Sequence, residues 1–290
     1  MNDKKNEDGT TIVVNDDIDR IRKKVWGDRT PPVVERKSSG IGPDRTTEMS
    51  DYFNYAQYDR ATRSHTFYKE MIGAMLNSLK ARIGNKKCTI LELGCGNGTL
   101  TEELILLKNA EIVSIDVDKN AIEFTSSRVK ASNLKFVRAD ALKFRADNHV
   151  DIVIASWNYE HITNYKNGHE LARSIVANLK KDGLYIEGAE LIGTFQNEFE
   201  RQKAFIDYHE EIIDRALKDG NADTAEIEYL AMISGITGIS HHKRDRETHI
   251  KEMESDGLQL KRMEKFGPFT KIVGSAGVYF FEFVRADDVK

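Results

Sequence analysis

Three glycines at alternate positions, Gly94, Gly96 and Gly98, follow directly on the apolar run Ile90, Leu91, Leu93 in ILELGCGNGTL. Glycine packs nothing and loses more backbone freedom on ordering than any other residue, so such a cluster beside a strand is costly. Two geometries account for it: a turn too tight for a Cβ, or a ligand lying against bare backbone. Both demand a strand that runs into a turn, and the flanking sequence extends that unit. A helix near 99–108, a strand AEIVSID at 110–116 and a helix near 118–130 come next, then KFVRAD at 135–140. VDIVIAS at 150–156, a helix near 168–180 and GLYIEGAEL at 183–191 continue the alternation. Apolar strands separated by helices predict a parallel sheet, buried on both faces and wound by right-handed crossovers.

Four segments are expected. Residues 1–50 hold three of the four prolines, many charges and little periodicity, and read as a flexible or loosely docked arm. The basic stretch Arg20–Lys24 in it reads as a solvated tail or a contact for an acidic partner. Residues 51–194 read as the core with a preceding helix, where Tyr68, Met71, Ile72, Met75, Leu76, Leu79 and Ile83 recur at helical steps. Residues 195–257 read as a helical lid, inserted over the carboxyl ends of the strands where such sheets bind ligands. Residues 258–290 contribute LQLKRMEKF and GVYFFEFV, two strands that pair antiparallel at one edge. The expected fold class is α/β: a doubly wound, Rossmann-like seven-stranded sheet, parallel with one antiparallel strand.

Charge and cysteine content narrow the function. A net charge of −4 gives no general pull toward nucleic acid or anionic membrane. The two cysteines, Cys88 and Cys95, make neither a disulfide framework nor a zinc site, so no metal is expected. The polar start MNDKKNEDGT lacks an apolar h-region, and no run approaches a membrane span, so a cytoplasmic protein is expected. The expected partner is a small-molecule acceptor, with no membrane and no nucleic acid, and the reading allows a homodimer.

The turn itself is selective. A dinucleotide fingerprint needs G-x-G-x-x-G, whose last glycine lets helix and strand approach; here the spacing is G-C-G-N-G and Thr99 takes that last place. A nicotinamide or flavin cofactor is therefore disfavoured. What remains is a ligand in close contact with backbone and without a pyrophosphate.

E-L-G-C-G-N-G after an apolar strand resembles the first motif of the class I S-adenosylmethionine (SAM) methyltransferases, over roughly residues 65–190 and again in the final strands. The resemblance implies SAM as cofactor and S-adenosylhomocysteine as product. It assigns Gly94, Cys95, Gly96 and Gly98 to the cofactor turn and Glu92 to the acid that steadies it. Asp116, with Val117 after it, matches the acid that accepts the ribose hydroxyls. Asp140 and Ala141 in RADAL match the adenine-edge pair, and Ser156 stands at the methionine end. Asp118 reads as the N-cap of the following helix.

A second resemblance lies outside the core. Y-H-E-E at 208–211, N-A-D-T-A-E-I at 221–227 and R-D-R-E-T-H at 244–249 are similar in order to the insert of the carboxy-SAM synthase family. R-S-H-T-F-Y at 63–68 resembles that family's R-S-x-P-G-Y, which assigns Tyr68 to the cofactor. The family's arginine for the extra carboxylate falls on His242, so plain SAM is expected.

Methyl transfer from an activated sulfonium needs mainly positioning, with a base only where the acceptor must lose a proton. In S-W-N-Y-E-H-I, Trp157 and Tyr159 are expected to wall the pocket, and Glu160 and His161 to bind or deprotonate the acceptor. Glu187 and Glu190 stand three apart on one strand and face opposite ways, so Glu190 is expected in the cleft, favouring a cationic acceptor. Tyr208, His209 and the pair His241–His242 are expected to reach in from the lid. The expected function is a SAM-dependent methyltransferase of a small-molecule acceptor. Alternatives are a SAM-consuming enzyme that does not transfer methyl, or a non-catalytic SAM- or RNA-binding subunit using Arg20–Lys24.

Overall fold

The computed structural model describes residues 14–34 and 49–288. Much of the stretch read as an arm thus lies outside the described residues. Its described part contains helix α1 (Asn15–Trp26), which buries Ile21, Val25 and Trp26. α2 (Tyr55–Ser64) and α3 (Thr66–Ile83) then break at His65, which caps α3 by accepting the Tyr68 N–H. The expected single helix is therefore two.

The alternation follows: β1 (Cys88–Leu93), α4 (Thr99–Leu104), β2 (Ala110–Asp116), α5 (Lys119–Arg128), β3 (Leu134–Arg138) and β4 (Val150–Ser156). α6 (Tyr159–Ile162), α7 (Gly168–Asn178) and β5 (Leu179–Leu191) lead to the insert, α8 (Glu198–Lys218), α9 (Ala222–Thr237) and α10 (Arg246–Ser255). β6 (Leu258–Gly267) and β7 (Gly277–Arg285) close the chain's sheet. The strand order is β3-β2-β1-β4-β5-β7-β6, and β7 runs antiparallel to both of its neighbours. The order reverses between β2-β1 and β4, so the carboxyl ends of β1 and β4 open a crevice at the switch point.

Alternation along the strands separates two cores. Ile90, Ile112, Ile154, Ile186 and Phe280 face α3, α8 and α9. Leu91, Val153, Tyr185, Phe281 and Phe283 face the opposite side, where α7 and α10 contribute Leu171, Ile175 and Met253. Gly188, between Glu187 and Glu190, keeps regular pairing with Ser156 and Phe280. Its missing side chain has another cause: a Cβ there would stand 2.5 Å from the Met71 side chain.

α1 packs on the outside of the insert. Trp26 meets Tyr229 edge-on, and Arg20 and Lys24 pair with Glu210 while Lys24 also reaches Asp214 at 2.6 Å. The basic side chains read as a solvated tail are thus engaged by the chain's own acids. Among the described residues no helix is long and apolar enough to cross a membrane.

Candidate active site

The glycine turn forms because β1 must reverse at once into α4. Gly94, Gly96 and Gly98 all adopt positive φ, at 71°, 50° and 81°, a region costly for any residue with a Cβ. Gly94 also lies beneath Asn158, whose side chain donates to the Leu93 carbonyl, and a Cβ on Gly94 would come within 2.6 Å of it. Nothing lies within 4 Å of where a Cβ on Gly96 would sit, so this part of the turn opens onto free space. Gly98 caps α4 against Thr125, away from that space.

The space is a cavity of about 750 Å³, bounded by Gly94, Gly96, Asp116, Asp140, Ser156 and Trp157 among others. Glu92, Cys95, Val117, Ala141 and Tyr68 also border it. Asp116 ends β2 with one oxygen accepting the Gly96 N–H at 2.9 Å and the other the Asp118 N–H at 2.8 Å. Burial pushes its carboxyl up to about 6 against these bonds. Glu92 accepts from Thr101 and Ser114 below the turn, and burial pushes it up to about 7. Asp118 caps α5 through Asn120 N–H, as read from the sequence, and also accepts from Tyr55 at 2.9 Å. Ser156 donates to the Tyr68 hydroxyl at 3.2 Å, and the Tyr68 and Trp157 rings lie 4.3 Å apart. Trp157 holds φ at 50°, which turns the chain out of β4 and swings its ring to the mouth of the cavity.

Beyond Trp157 lies a second, much smaller cavity of about 20 Å³. Trp157, Tyr58, His161 and Met49 border both. Its walls come from α2, α9, the end of β5 and α6, and carry Glu160, Glu190, Glu228 and His65. Lys243 is fully buried behind them and bridges Glu160 at 2.9 Å and Glu190 at 2.5 Å. Those two carboxylates outweigh its own desolvation and raise its pKa. Tyr208 donates to Glu190 at 2.8 Å, and His209 shares a bond of 2.8 Å with Glu228. A ring nitrogen of His65 and a carboxylate oxygen each of Glu190 and Glu228 lie within 4.8 Å of one another.

Several expected residues stand elsewhere. Tyr159 borders neither cavity: one step along α6 from Glu160 it turns to the other face of the sheet, where its hydroxyl donates to Glu252 and its ring meets His249. His242 also borders neither; its ring packs on Tyr165 and its backbone N–H donates to the Glu160 carbonyl. Tyr208 and His209 support the small cavity from behind. Glu187 and Glu190 do face opposite ways, Glu187 meeting His249 at 3.0 Å. His161 lies between the cavities, bonded to Ser240 at 3.1 Å, and burial pushes it down to about 3. His65, Tyr58 and Glu228, which border the small cavity, and Lys243 behind them are not among the site residues expected from the sequence. The available signal was Glu228, a charge in the otherwise apolar run of α9.

The glycine turn at a topological switch point, with an acid closing β2, is similar to the cofactor site of the class I SAM-dependent methyltransferases. SAM is the cofactor of that class. Residues 90–183 match the family described as Methyltransferase domain. The chain is 28% identical over 140 residues to malonyl-[acyl-carrier protein] O-methyltransferase of Bacillus anthracis, 47% of this chain and 51% of that protein. It is 31% identical over 83 residues to ribosomal RNA small subunit methyltransferase A of Mycoplasma mycoides subsp. mycoides, 29% of each. The chain spans about half or less of the length of these relatives. Its fold matches the plantazolicin methyltransferase BpumL, solved with S-adenosylhomocysteine, at a TM-score of 0.54 and 14% identity, covering 81% of this chain and 91% of that one.

Proposed function

We propose that this protein transfers the methyl group of SAM to a small-molecule acceptor held in the small cavity. The observation that carries the reading is the pair of neighbouring cavities: one along the glycine turn, the other walled by α2 and α9, with Trp157 and Tyr58 bordering both. The larger cavity suits SAM chemically. Backbone bare at Gly96 admits the nucleoside, Asp116 offers acceptor oxygens to its ribose hydroxyls, and Asp140 with Ala141 stands at the expected adenine end. Tyr68, Glu92 and Ser156 then bound the methionine end. SAM supplies an activated methyl group, so the protein's part is alignment and exclusion of water. Tyr58 and Trp157 form the passage along which the acceptor faces the cofactor. His161, neutral near pH 7, is a poor base and serves as a wall, which leaves proton acceptance to the buried carboxylates.

Carboxy-SAM chemistry is not favoured. Arg244 is held by Glu252, the Asn164 carbonyl and the His242 carbonyl, and Lys243 by Glu160 and Glu190. A shift of the insert's cations toward an extra carboxylate therefore finds both already engaged.

Mass spectrometry after incubation with SAM and a cell metabolite extract tests the reading. S-adenosylhomocysteine with a product heavier by one methylene unit is expected. Methylthioadenosine instead would mean reaction at the aminobutyrate chain and end the proposal.

A further inference from the structure

The small cavity is walled by more negative charge than its surroundings balance. Two buried carboxylates, Glu160 and Glu190, face one ammonium, Lys243, and a third buried acid, Glu228, stands beside them. The neighbouring rings add nothing: burial lowers the pKa of His65, His161 and His209 alike, leaving them neutral near pH 7. Glu160 Oε2, 1% exposed as a residue, has no hydrogen-bond partner, and neither has His65 Nε2. An unpaired buried carboxylate oxygen beside an uncompensated charge is expensive unless a ligand supplies the missing donor.

Two cations fit an acidic pocket, a metal ion and an ammonium group, and the hydrogen bonds separate them. His65 Nδ1 accepts the Tyr68 N–H at 3.2 Å, so the ring proton of the neutral imidazole sits on Nε2. That nitrogen is then a donor facing Glu228 at 3.9 Å and has no lone pair for a metal. Lys243 on Glu190 Oε2 further repels a divalent ion. An ammonium head needs only carboxylate acceptors, and a cavity of about 20 Å³ admits a group of about the size of one water.

We infer that the acceptor is a primary amine, bound as its ammonium head by Glu160, Glu190 and Glu228 and methylated on nitrogen. This rests on the methyltransferase reading above. The head first gives a proton to a carboxylate. Glu160, whose Oε2 has no hydrogen-bond partner, is placed to take it, because Glu228, raised to about 8 by burial and by Glu190 beside it, already holds a proton near pH 7. The freed lone pair then forms the N–C bond to the methyl carbon while the C–S bond breaks and its electrons remain on sulfur. The products are a protonated secondary amine and neutral S-adenosylhomocysteine. A carboxylate acceptor would meet the like charges of Glu160 and Glu190 instead.

Calorimetric titration of the intact protein tests this in two stages. S-adenosylhomocysteine is titrated first; failure at this stage rejects the cofactor reading and not the amine. Butylamine and benzylamine are then titrated into the saturated protein against butanol, benzyl alcohol, butyrate and benzoate. The amines are expected to bind about tenfold or more tightly than their matched alcohols and acids, since bonds to a charged group exceed neutral ones. Glu160→Gln is expected to lose that preference while binding S-adenosylhomocysteine normally; Glu190→Gln serves where the first variant does not fold. Equal or tighter binding of the alcohols or acids, no binding of either amine, or stoichiometric zinc uptake that displaces the amines overturns the inference.

Discussion

At the residue scale the two acids around the end of β2 separate ligand binding from folding. Asp116 faces the larger cavity with a carboxylate anchored by two backbone N–H groups, whereas Asp118 is committed to capping α5. Asp116→Ala is expected to weaken SAM binding by about 1.5–3 kcal/mol, the range for hydrogen bonds to an ionised group. Asp118→Ala should cost about 1 kcal/mol of stability with a smaller loss of affinity; calorimetry and chemical denaturation on both variants check the split. Protonation supplies a second check. The carboxyl of Asp116 is raised to about 6, so its charged form prevails above that pH and is lost below it. SAM affinity should therefore fall as pH drops through about 6, and Asp116→Asn should flatten that dependence. Lys243→Met leaves Glu160 and Glu190 buried without their cation, and about 3–5 kcal/mol of stability should be lost in urea unfolding.

At the element scale the insert helices wall the small cavity and the strand ends of the sheet border the larger one. α9 approaches α8 closely because Gly235 has no side chain; a Cβ there would stand 2.0 Å from the Phe205 ring. That ring stacks on His209, which in turn holds Glu228. Gly235→Ala should cost about 1–3 kcal/mol through overpacking. It should also raise the KM for the acceptor while leaving affinity for S-adenosylhomocysteine unchanged, since no cofactor-side residue touches it. α1 shows how composition misleads at this scale. Its charges look like a solvated tail along the sequence, and only folding brings Glu210 and Asp214 of α8 beneath them.

At the scale of the whole molecule the larger cavity sits between the ends of β1, β2 and β4, so a ligand there joins elements far apart in the chain. Saturation with S-adenosylhomocysteine at 100 times its Kd should stabilise the fold by about 2.7 kcal/mol, read as a rise in Tm. The sheet and the cofactor side were legible beforehand because their signals are local. Apolar strands alternate with helices, the glycine turn follows β1 within a few residues, and Asp116 ends its own strand. Strand limits at 110–116 and 150–156 agree with the structure for that reason. Tyr159, His242 and Lys243 were not legible, because their roles depend on which way a four-residue helix and an irregular connection turn. The small cavity gathers His65, Glu160, Glu190, Glu228 and Lys243 from across some 180 residues, and no spacing along the chain encodes that meeting. Local periodicity and turn chemistry determine the doubly wound sheet and its glycine turn from sequence alone; the charge of the small cavity arises only when packing desolvates distant carboxylates together.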